Sequence, residues 1–366
     1  MKTRLLFVLP SLSAGGAERV ILNIMNHLNP QYFELFLLVI KREKFSYDSY
    51  LKDDIKVIQA DSRLKLRFSF ISIIKHVKEL NPDAVFLGMG LLNVVMSFFI
   101  PFLKRYKWYC RETIMIKNRG AKRVEKIAYR YFYKNYDRII VQSELMKDDL
   151  VSNFGIPRDK IQFIPNPLDI DYIDEAMKQS PNLSLPERVT NLVACGRLTY
   201  QKGFDLLIDS FSQLENREQF HLTIIGSGNP KDQQNQEYLL KSKVNEYGLS
   251  DCITFSGHVS NVYPIIRQAD IFVLSSRFEG FPNVVLESLC CRIPVVANEL
   301  VSGINTLIKN EENGFLFSFD DPQKSLNKMI TRAKDIDWDK DIIRKSIENF
   351  HVFKVVKSYE HFLKGQ

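Results

Sequence analysis

Short apolar runs alternate with longer helix-like segments along nearly all of the 366 residues. Runs that are apolar throughout, such as LLFVL at 5–9 and IFVL at 271–274, are typical of strands covered on both faces, as in parallel sheets. Parallel strands joined by helices need right-handed crossovers, so the alternation predicts a doubly wound α/β fold. We expect strands at 5–10, 34–40, 55–59, 84–88, 107–110, 138–142, 161–164, 191–195, 221–225, 253–256, 271–274, 294–297 and 314–317.

The length suggests two domains, because domains average roughly 150 residues. Residues 165–186 contain four prolines and end in a polar segment, as a linker would. We therefore expect an N-terminal domain at 1–166 and a C-terminal domain at 167–346, two similar domains that face a central cleft. Ligands of such sheets bind beyond the carboxyl ends of the strands, so the strand-to-helix loops are where function is sought.

Composition and termini exclude several classes of protein. With 45% hydrophobic and 25% charged residues, the chain is neither disordered nor collagen-like. Its five cysteines form no C-x-x-C pair, which favours free thiols in a reducing cytoplasm over a zinc or redox site. The N-terminus does not resemble an export signal. The longest apolar stretch, 91–103, is shorter than the about 20 residues that span a bilayer, so we do not expect an integral membrane protein.

Positive charge is concentrated in the first half of the chain. Residues 104–138 contain 12 basic and three acidic side chains, in a protein of net charge +7. Such a block attracts anionic surfaces, although a solvated helix face is the simpler alternative. The adjoining apolar segment 91–106 favours a helix in a membrane interface over nucleic-acid binding. We expect peripheral contact with the anionic inner face of the cytoplasmic membrane and no nucleic-acid partner; the candidate contacts are Lys104, Arg105, Lys107, Arg111, Lys122 and Arg123.

A loop with paired glycines, Gly15 and Gly16, follows the first predicted strand. Glycines let backbone amides approach an anion closely, and the helix that follows adds partial positive charge. The loop matches neither the G-x-G-x-x-G fingerprint nor the P-loop, so a tight turn remains an equal alternative.

Arg197 and Lys202 lie five residues apart in the loop after the first strand of the second half. A planar guanidinium and a mobile ammonium in one loop can converge on a single diphosphate. The alternative is a pair of solvated cations at a strand end.

The loop after the strand at 271–274 carries Glu279 and is followed by Pro282, which suits the first turn of a helix. Glu287 lies four residues past Asn283, one helical turn on, so it can face the same opening as Glu279. Carboxylates accept hydrogen bonds from sugar hydroxyls, and amides at a helix N-terminus suit phosphate and sugar oxygens.

Together, the segments G-G-A-E-R at 15–19, G-R-x4-K-G at 196–203 and E-G-F-P-N-V-x2-E at 279–287 resemble glycosyltransferase family 4, which has the GT-B fold. G-H-V at 257–259 and N-G-F at 313–315 also match its usual order and spacing. The resemblance spans nearly the whole chain and is nearest to bacterial enzymes that extend lipid-linked surface glycans. It implies retaining transfer of a sugar from a UDP- or GDP-linked donor, without a metal or other cofactor.

The resemblance also implies roles for individual residues. Arg197 and Lys202 would hold the donor diphosphate, and Glu287 would bind the ribose. The transferred sugar would meet Glu279 and the loop and helix residues Gly280, Phe281, Pro282 and Asn283, with the backbone amides of the three that are not proline available to its oxygens. His258 and Val259 would lie by the nucleobase, and Gly196 would approach the donor. Gly15 and Gly16 would line the cleft from the acceptor domain, onto which the last helix, within 347–366, would cross back.

One position departs from the family pattern. Many members carry a histidine after the strand at 107–110, where this chain has Cys-Arg-Glu-Thr. We take Glu112 as the candidate acid/base or sugar-positioning group; its alternative is a salt bridge within the basic block. The D-x-D pairs at 169–171 and 335–337 are interpreted as surface carboxylates rather than a metal site.

Three other functions stay open at this point. A nucleotide-sugar epimerase or a dinucleotide oxidoreductase could use a similar scaffold, but the oxidoreductase is disfavoured by the missing G-x-G-x-x-G. A non-catalytic membrane-associated scaffold is disfavoured by the intact cations and carboxylates of the motifs.

Overall fold

The computed structural model describes residues 1–12, 15–41, 50–60, 69–116, 123–230, 232–321 and 324–364, without the side chains of residues 123 and 124. The chain divides into two compact units. Unit 1 is Met1–Leu168 with Phe350–Gln366, and unit 2 is Asp169–Asn349. Each unit is built on one sheet in which every described strand pair is parallel.

Unit 1 contains a seven-stranded sheet in the order β3-β2-β1-β4-β5-β6-β7. Its strands are β1 (Thr3–Ser11), β2 (Phe33–Lys41), β3 (Lys56–Gln59), β4 (Ala84–Leu87), β5 (Lys107–Arg111), β6 (Arg138–Val141) and β7 (Ile161–Phe163). The helices described around it are α1 (Gly16–His27), α2 (Ser69–Leu80), α3 (Gly90–Ser97), α4 (Arg123–Tyr131), α5 (Glu144–Phe154) and, from the chain end, α13 (Val352–Lys364).

Both faces of this sheet are buried. On one face Trp108 packs in a cluster to which α2, α3, α4 and α5 contribute; on the other Tyr109 packs with α1 and α13. Neighbouring residues of a strand point to opposite faces, so a sheet covered on both sides requires strands that are apolar throughout.

Unit 2 contains a six-stranded sheet in the order β10-β9-β8-β11-β12-β13. Its strands are β8 (Thr190–Cys195), β9 (Phe220–Ile225), β10 (Ile253–Gly257), β11 (Ile271–Leu274), β12 (Val295–Asn298) and β13 (Gly314–Phe317). Its helices are α6 (Ile170–Ala176), α7 (Phe204–Ser212), α8 (Glu237–Glu246), α9 (Tyr263–Ile266), α10 (Asn283–Cys290), α11 (Leu326–Lys334) and α12 (Lys340–Lys345). β8 and β11 are neighbours near the middle of the sheet, so the loops that follow them lie side by side at its carboxyl edge.

The structure confirms the α/β prediction. All thirteen expected strands are present, and their ends agree with the expected ones to within two residues. The five cysteines are free thiols, as expected, and Cys110, Cys290 and Cys291 are buried. Within the described ranges, the helices are all too short or too polar to cross a bilayer.

The expectation of an interfacial helix at 91–106 is wrong. The segment forms the eight-residue α3 and a 3-10 turn at Ile100–Phe102, and Leu92, Met96 and Ile100 are buried in unit 1. The connection between β4 and β5 has to cover one face of the sheet. Most of the apolar side chains of this segment, which we expected to contact a membrane, therefore pack in the core of unit 1. Leu91 and Phe102 are exceptions, with 36% and 84% of their surfaces exposed.

Candidate active site

Lys202 and Glu279 meet at the carboxyl edge of the unit 2 sheet. Lys202 ends a 3-10 turn after β8, and Glu279 lies in the loop between β11 and α10. The Lys202 Nζ is 2.6 Å from Glu279 Oε1, and only 17% and 12% of the two side-chain surfaces are exposed. The structure thus joins two motifs that are 77 residues apart in the chain.

The Glu279 carboxylate is held by two further side chains. Ser276 Oγ donates to Oε1 at 2.8 Å, and Gln201 Nε2 donates to Oε2 at 3.2 Å. Ser276 is fixed in turn because its carbonyl accepts from Asn298 Nδ2 at 3.0 Å. A carboxylate with several donors keeps its orientation, as binding of a sugar hydroxyl would require.

A close approach of the two backbones makes this meeting possible. Gly203, just after Lys202, has φ +64°, and a Cβ there would lie 2.2 Å from the carbonyl oxygen of Ser275. Ser275 Oγ also donates to the Lys202 carbonyl at 2.9 Å. The glycine of the G-R-x4-K-G motif is therefore required for loop packing as well as for its left-handed conformation.

Arg197 has a different environment from Lys202. Its side chain is 68% exposed, and its Nη1 is 3.9 Å from Asp232 Oδ2, the outer limit of an ion pair. Arg197 is thus largely exposed where Lys202 is enclosed, and its role at a diphosphate stays a prediction.

The remaining donor-motif residues surround the same sheet edge. Gly280, Phe281 and Pro282 are buried, and Pro282 is the N-cap of α10 rather than a residue of its first turn. Asn283 opens the helix, and Glu287 is half-buried one turn on. The amino end of α10 carries the partial positive charge of a helix dipole, which suits phosphate or sugar oxygens.

A third strand-end loop joins the site and was missed in the sequence. The loop G-S-G at 226–228 follows β9, and a Cβ on Gly226 would lie 1.9 Å from the carbonyl oxygen of Gly196. The Leu198 amide donates to the Ser227 carbonyl at 3.2 Å. Its glycines and its place after a buried strand are the same signals that identified the other two loops.

His258 and Val259 follow β10. His258 is exposed and Val259 is half-buried, and Gly257 before them has φ +71°. An exposed turn leaves backbone groups accessible, as contact with a base would need.

In unit 1, Gly15 is the N-cap of α1 and Gly16 its first residue. The buried side chain of Glu18 folds back over Gly15, so that a Cβ on Gly15 would lie 2.2 Å from Glu18 Oε2. A carboxylate is favourable at a helix N-terminus. Here the Glu18 carboxylate lies at the position where the sequence suggested that an external anion could bind.

Glu112 lies in a buried cluster of hydroxyl and amide groups. Its Oε1 accepts from Tyr133 at 2.5 Å and from Asn93 Nδ2 at 3.1 Å, and its Oε2 accepts from Tyr129 at 3.4 Å. Burial, and then the charge of Glu112, raises the pKa of Tyr133 well above its usual value, so the phenol stays a donor. Glu112 is 2% exposed. These donors hold the carboxylate inside unit 1, and its charge opposes the burial that lowers the pKa of the neighbouring Arg111, so the acid/base role and the salt bridge both stay predictions.

The predicted membrane contacts divide into two groups. Lys104, Arg105 and Lys107 are exposed, with Lys107 Nζ 3.6 Å from Asp137 Oδ1. Lys122 and the side chain of Arg123 lie outside the described residues; the backbone of Arg123 begins α4.

For Arg111 the prediction of a membrane contact is wrong. Its side chain is 2% exposed, and its Nη2 donates to Asn166 Oδ1 at 2.5 Å. Burial lowers the pKa of Arg111, an effect that Tyr359 and Glu112 oppose. A side chain inside unit 1 cannot reach a lipid surface.

Unit 1 also has an apolar pocket of about 240 Å³ beyond the carboxyl ends of β1, β4 and β5. It is lined by Pro10, Met89, Gly90, Leu91, Leu92, Thr113 and Ile114. Of these seven residues only Thr113 has a polar side chain, so the lining is mostly apolar. The pocket therefore suits a ligand group with apolar surface.

The first D-x-D segment caps a helix, and the aspartates of the second are exposed. Asp169 is the N-cap of α6 and accepts from the Tyr172 amide at 3.1 Å, and Asp335 and Asp337 are exposed. In the part of the chain that the structure describes, no three His, Cys, Asp or Glu side chains are grouped as a metal site would need.

Two family models match the chain, one in each half. "Glycosyltransferase Family 4" matches residues 14–172, and "Glycosyl transferases group 1" matches residues 176–348. A Campylobacter jejuni protein, the N-acetylgalactosamine-N,N'-diacetylbacillosaminyl-diphospho-undecaprenol 4-alpha-N-acetylgalactosaminyltransferase, is 27% identical over 93% of this chain and 91% of its own length. The lipopolysaccharide 1,6-galactosyltransferase of Salmonella typhimurium is 26% identical over 95% and 94%.

A solved structure has the same fold over the full length of both chains. The Anabaena HepE protein in complex with UDP and glucose superposes with a TM-score of 0.81 at 18% identity and covers 100% of each chain. The matches are to transferases in both halves, and the two parallel-sheet units carry the motif residues at their strand ends. The chain therefore has the GT-B fold and belongs to glycosyltransferase family 4.

Proposed function

We propose that this transferase moves a sugar from a UDP- or GDP-linked donor to a polyprenyl-diphosphate-linked glycan, with retention of anomeric configuration and without a metal. The product would serve a bacterial surface polysaccharide such as O-antigen or capsule. The observation that carries the proposal is the enclosed pair of Lys202 and Glu279, 2.6 Å apart at the carboxyl edge of the unit 2 sheet.

The donor assignment rests on charge. When the bond between the sugar and the diphosphate breaks, negative charge grows on the leaving oxygen, and a preorganised cation in a dry site stabilises it. Lys202 is such a cation, while the exposed Arg197 is able to turn toward a second phosphate oxygen. The Glu279 carboxylate accepts hydrogen bonds from hydroxyls of the transferred sugar, and the Glu287 carboxylate accepts hydrogen bonds from the ribose hydroxyls.

The acceptor assignment rests on the relatives and on unit 1. The Campylobacter relative is named for a sugar acceptor on diphospho-undecaprenol, and the Salmonella relative for lipopolysaccharide. The apolar pocket at the strand ends of unit 1 has the lining that an acceptor with apolar groups needs. We propose that the acceptor reaches this pocket.

A lipid-linked acceptor would bring the enzyme to the inner face of the cytoplasmic membrane. We define the basic aromatic surface as Phe102, Lys104, Arg105, Lys126, Ile127, Arg130 and Tyr131, which are all exposed. α3 and α4 pack on the same face of the sheet, with the rings of Phe98 and Phe132 4.4 Å apart. Apolar and cationic groups together suit an anionic bilayer surface.

The test of the donor assignment is a panel of UDP- and GDP-sugars screened for thermal stabilisation, in the presence and absence of EDTA. We expect one nucleotide series to raise the unfolding temperature of the wild type, with EDTA making no difference. Lys202→Ala should lose this response, and Lys241→Ala, an exposed lysine of α8, should keep it. Stabilisation by neither series would contradict the proposal.

The stereochemical outcome needs a separate measurement. Once a donor is identified, NMR of the product made on a polyprenyl-diphosphate-linked glycan should show the anomeric configuration of the donor. An inverted product would exclude the retaining assignment.

A further inference from the structure

Arg277 binds the loop that carries the site lysine. Its Nη1 and Nη2 donate to the two carboxylate oxygens of Asp205 at 2.7 and 2.6 Å. Its Nη1 also donates to the Tyr200 carbonyl at 2.8 Å, and its guanidinium carbon lies 4.0 Å from the centre of the Tyr200 ring. The Arg277 amide donates to the Gln201 carbonyl at 2.8 Å. Arg277 therefore contacts residues on both sides of Lys202.

Two ion pairs thus join the same two loops. Lys202 and Asp205 lie around the start of α7, and Arg277 and Glu279 lie two residues apart after β11. Of the Arg277 and Asp205 side-chain surfaces, 19% and 26% are exposed, so this pair is nearly as enclosed as Lys202 and Glu279. The second pair adds a charged contact to the hydrogen bonds of Ser275 with the Lys202 carbonyl and of Gln201 with Glu279, and so further restricts the relative position of the two loops.

The chemistry of the Asp205 pair suits a fixed geometry. A guanidinium presents a rigid planar fork that matches both oxygens of a carboxylate, whereas the ammonium of Lys202 is a point charge on a flexible stem. Burial opposes the charge of Asp205, but its bonds with Arg277 and with backbone amides outweigh this and lower the Asp205 pKa.

We propose that Asp205 and Arg277 are positioning residues of the donor site, which hold loops 196–203 and 275–282 where Lys202 and Glu279 both meet the donor. They act through Lys202 and do not touch the diphosphate. The inference rests on the proposed function, since it takes Lys202 as a ligand of that diphosphate. The competing explanation is that the pair contributes only to the stability of unit 2.

A double-mutant cycle distinguishes the two explanations. The affinities of wild type, Arg277→Gln, Lys202→Ala and the double variant for UDP and for GDP are measured by calorimetry. A positioning role predicts a loss of about tenfold for Arg277→Gln alone, and for Asp205→Asn, the range that coupled residues show. It also predicts little further loss when Arg277→Gln is added to Lys202→Ala, because the lysine that it positions is then absent.

The matched control lies one turn further along α7. Lys243 Nζ donates to both carboxylate oxygens of Asp209 at 2.7 Å, and this pair links α7 to α8 rather than to a motif loop. Asp209→Asn and Lys243→Gln should leave the affinity for the nucleotide within about twofold of the wild type, with an unfolding midpoint similar to that of Asp205→Asn.

The outcomes are separable. If the wild type binds neither UDP nor GDP, the proposed function fails and this inference with it. If Lys202→Ala loses affinity but Arg277→Gln and Asp205→Asn do not, the inference fails and the function stands. An equal loss in the wild-type and Lys202→Ala backgrounds would also overturn it, in favour of a general structural role. Should Arg277→Gln not fold, Arg277→Lys, which keeps the charge but not the fork, replaces it in the same cycle.

Discussion

Lys202 and Glu287 are the side chains whose removal should affect transfer most directly. We expect Lys202→Ala and Glu287→Ala each to lower kcat/KM by about 10²–10³-fold, the usual effect of losing one transition-state partner. Glu287 lies outside the apolar core, so its replacement should change circular dichroism and the unfolding midpoint little. Lys202→Ala leaves the enclosed Glu279 without its cation, so we expect a lower unfolding midpoint but an unchanged circular dichroism spectrum.

The control for this prediction is Lys309→Ala, an exposed lysine of unit 2 that pairs with Glu312 on the surface. It should retain wild-type kcat/KM. Near-full activity of Lys202→Ala or Glu287→Ala would remove the corresponding role.

Glu112 should matter for stability. Glu112→Ala removes the carboxylate that accepts from Tyr129, Tyr133 and Asn93 Nδ2, of which Asn93 Nδ2 keeps its bond to the Arg111 carbonyl. Each buried donor that loses its acceptor costs about 1–3 kcal/mol. We expect the free energy of unfolding in urea to fall by about 3 kcal/mol or more. Tyr133→Phe, which removes one of the three donors, should cost less, about 1–2 kcal/mol. A Glu112→Ala variant of unchanged stability but no activity would return Glu112 to a catalytic role.

Among the loops, Gly203 allows a sharp test of close packing. Gly203→Ala places a Cβ 2.2 Å from the Ser275 carbonyl and also strains a left-handed residue, so both stability and transfer should fall. Gly248→Ala is the matched control in the same unit: its φ is +62°, but nothing lies within 4 Å of the added Cβ. The control should lose about 1 kcal/mol of unfolding free energy and keep its activity. Equal effects of the two substitutions would show that the loop contact is unimportant.

The link between α7 and the Glu279 loop should also depend on pH. The pKa of Asp205 is lowered in the folded protein, so the carboxylate stabilises the fold above its unfolded pKa, and this contribution is lost as the pH falls below that value. The difference in unfolding free energy between wild type and Asp205→Asn should therefore be full at pH 6 and shrink toward pH 3. A difference that stays constant over this range would mean that the charge of Asp205 contributes nothing.

At the scale of the whole molecule, the proposed membrane contact predicts salt-sensitive binding to vesicles. The wild type should co-sediment with phosphatidylglycerol-containing vesicles at low salt and less at high salt, because each cation near the surface contributes about 1 kcal/mol. Replacing Lys104 and Arg105 by Gln together should lower binding about tenfold or more. Lys309→Gln in unit 2 is the control. Equal sedimentation with neutral and anionic vesicles would contradict the membrane contact.

The sequence by itself determined the strands and their order along the chain. Runs such as those of β1 and β11 are apolar throughout because both faces of a parallel sheet are covered, and this requirement is local enough to be read from consecutive residues. The motif loops could also be predicted from the sequence. Glycines mark them, because a left-handed turn such as that at Gly203 strains any other residue.

Tertiary structure alone decided which motif side chains meet and which are buried. Lys202 pairs with Glu279, and Arg277 with Asp205, across more than seventy residues of chain, and no local pattern encodes such a contact. The sequence of the basic block at 104–138 does not show which cations face inward, so the prediction that Arg111 contacts a membrane was wrong. The hydroxyl and amide partners of Glu112 also come from distant parts of the chain and were not predicted. The spacing of motif residues predicts which chemical groups a site contains. Which side chains are buried and which contact each other depends on how helices and loops cover the sheets, and this is a property of the folded unit.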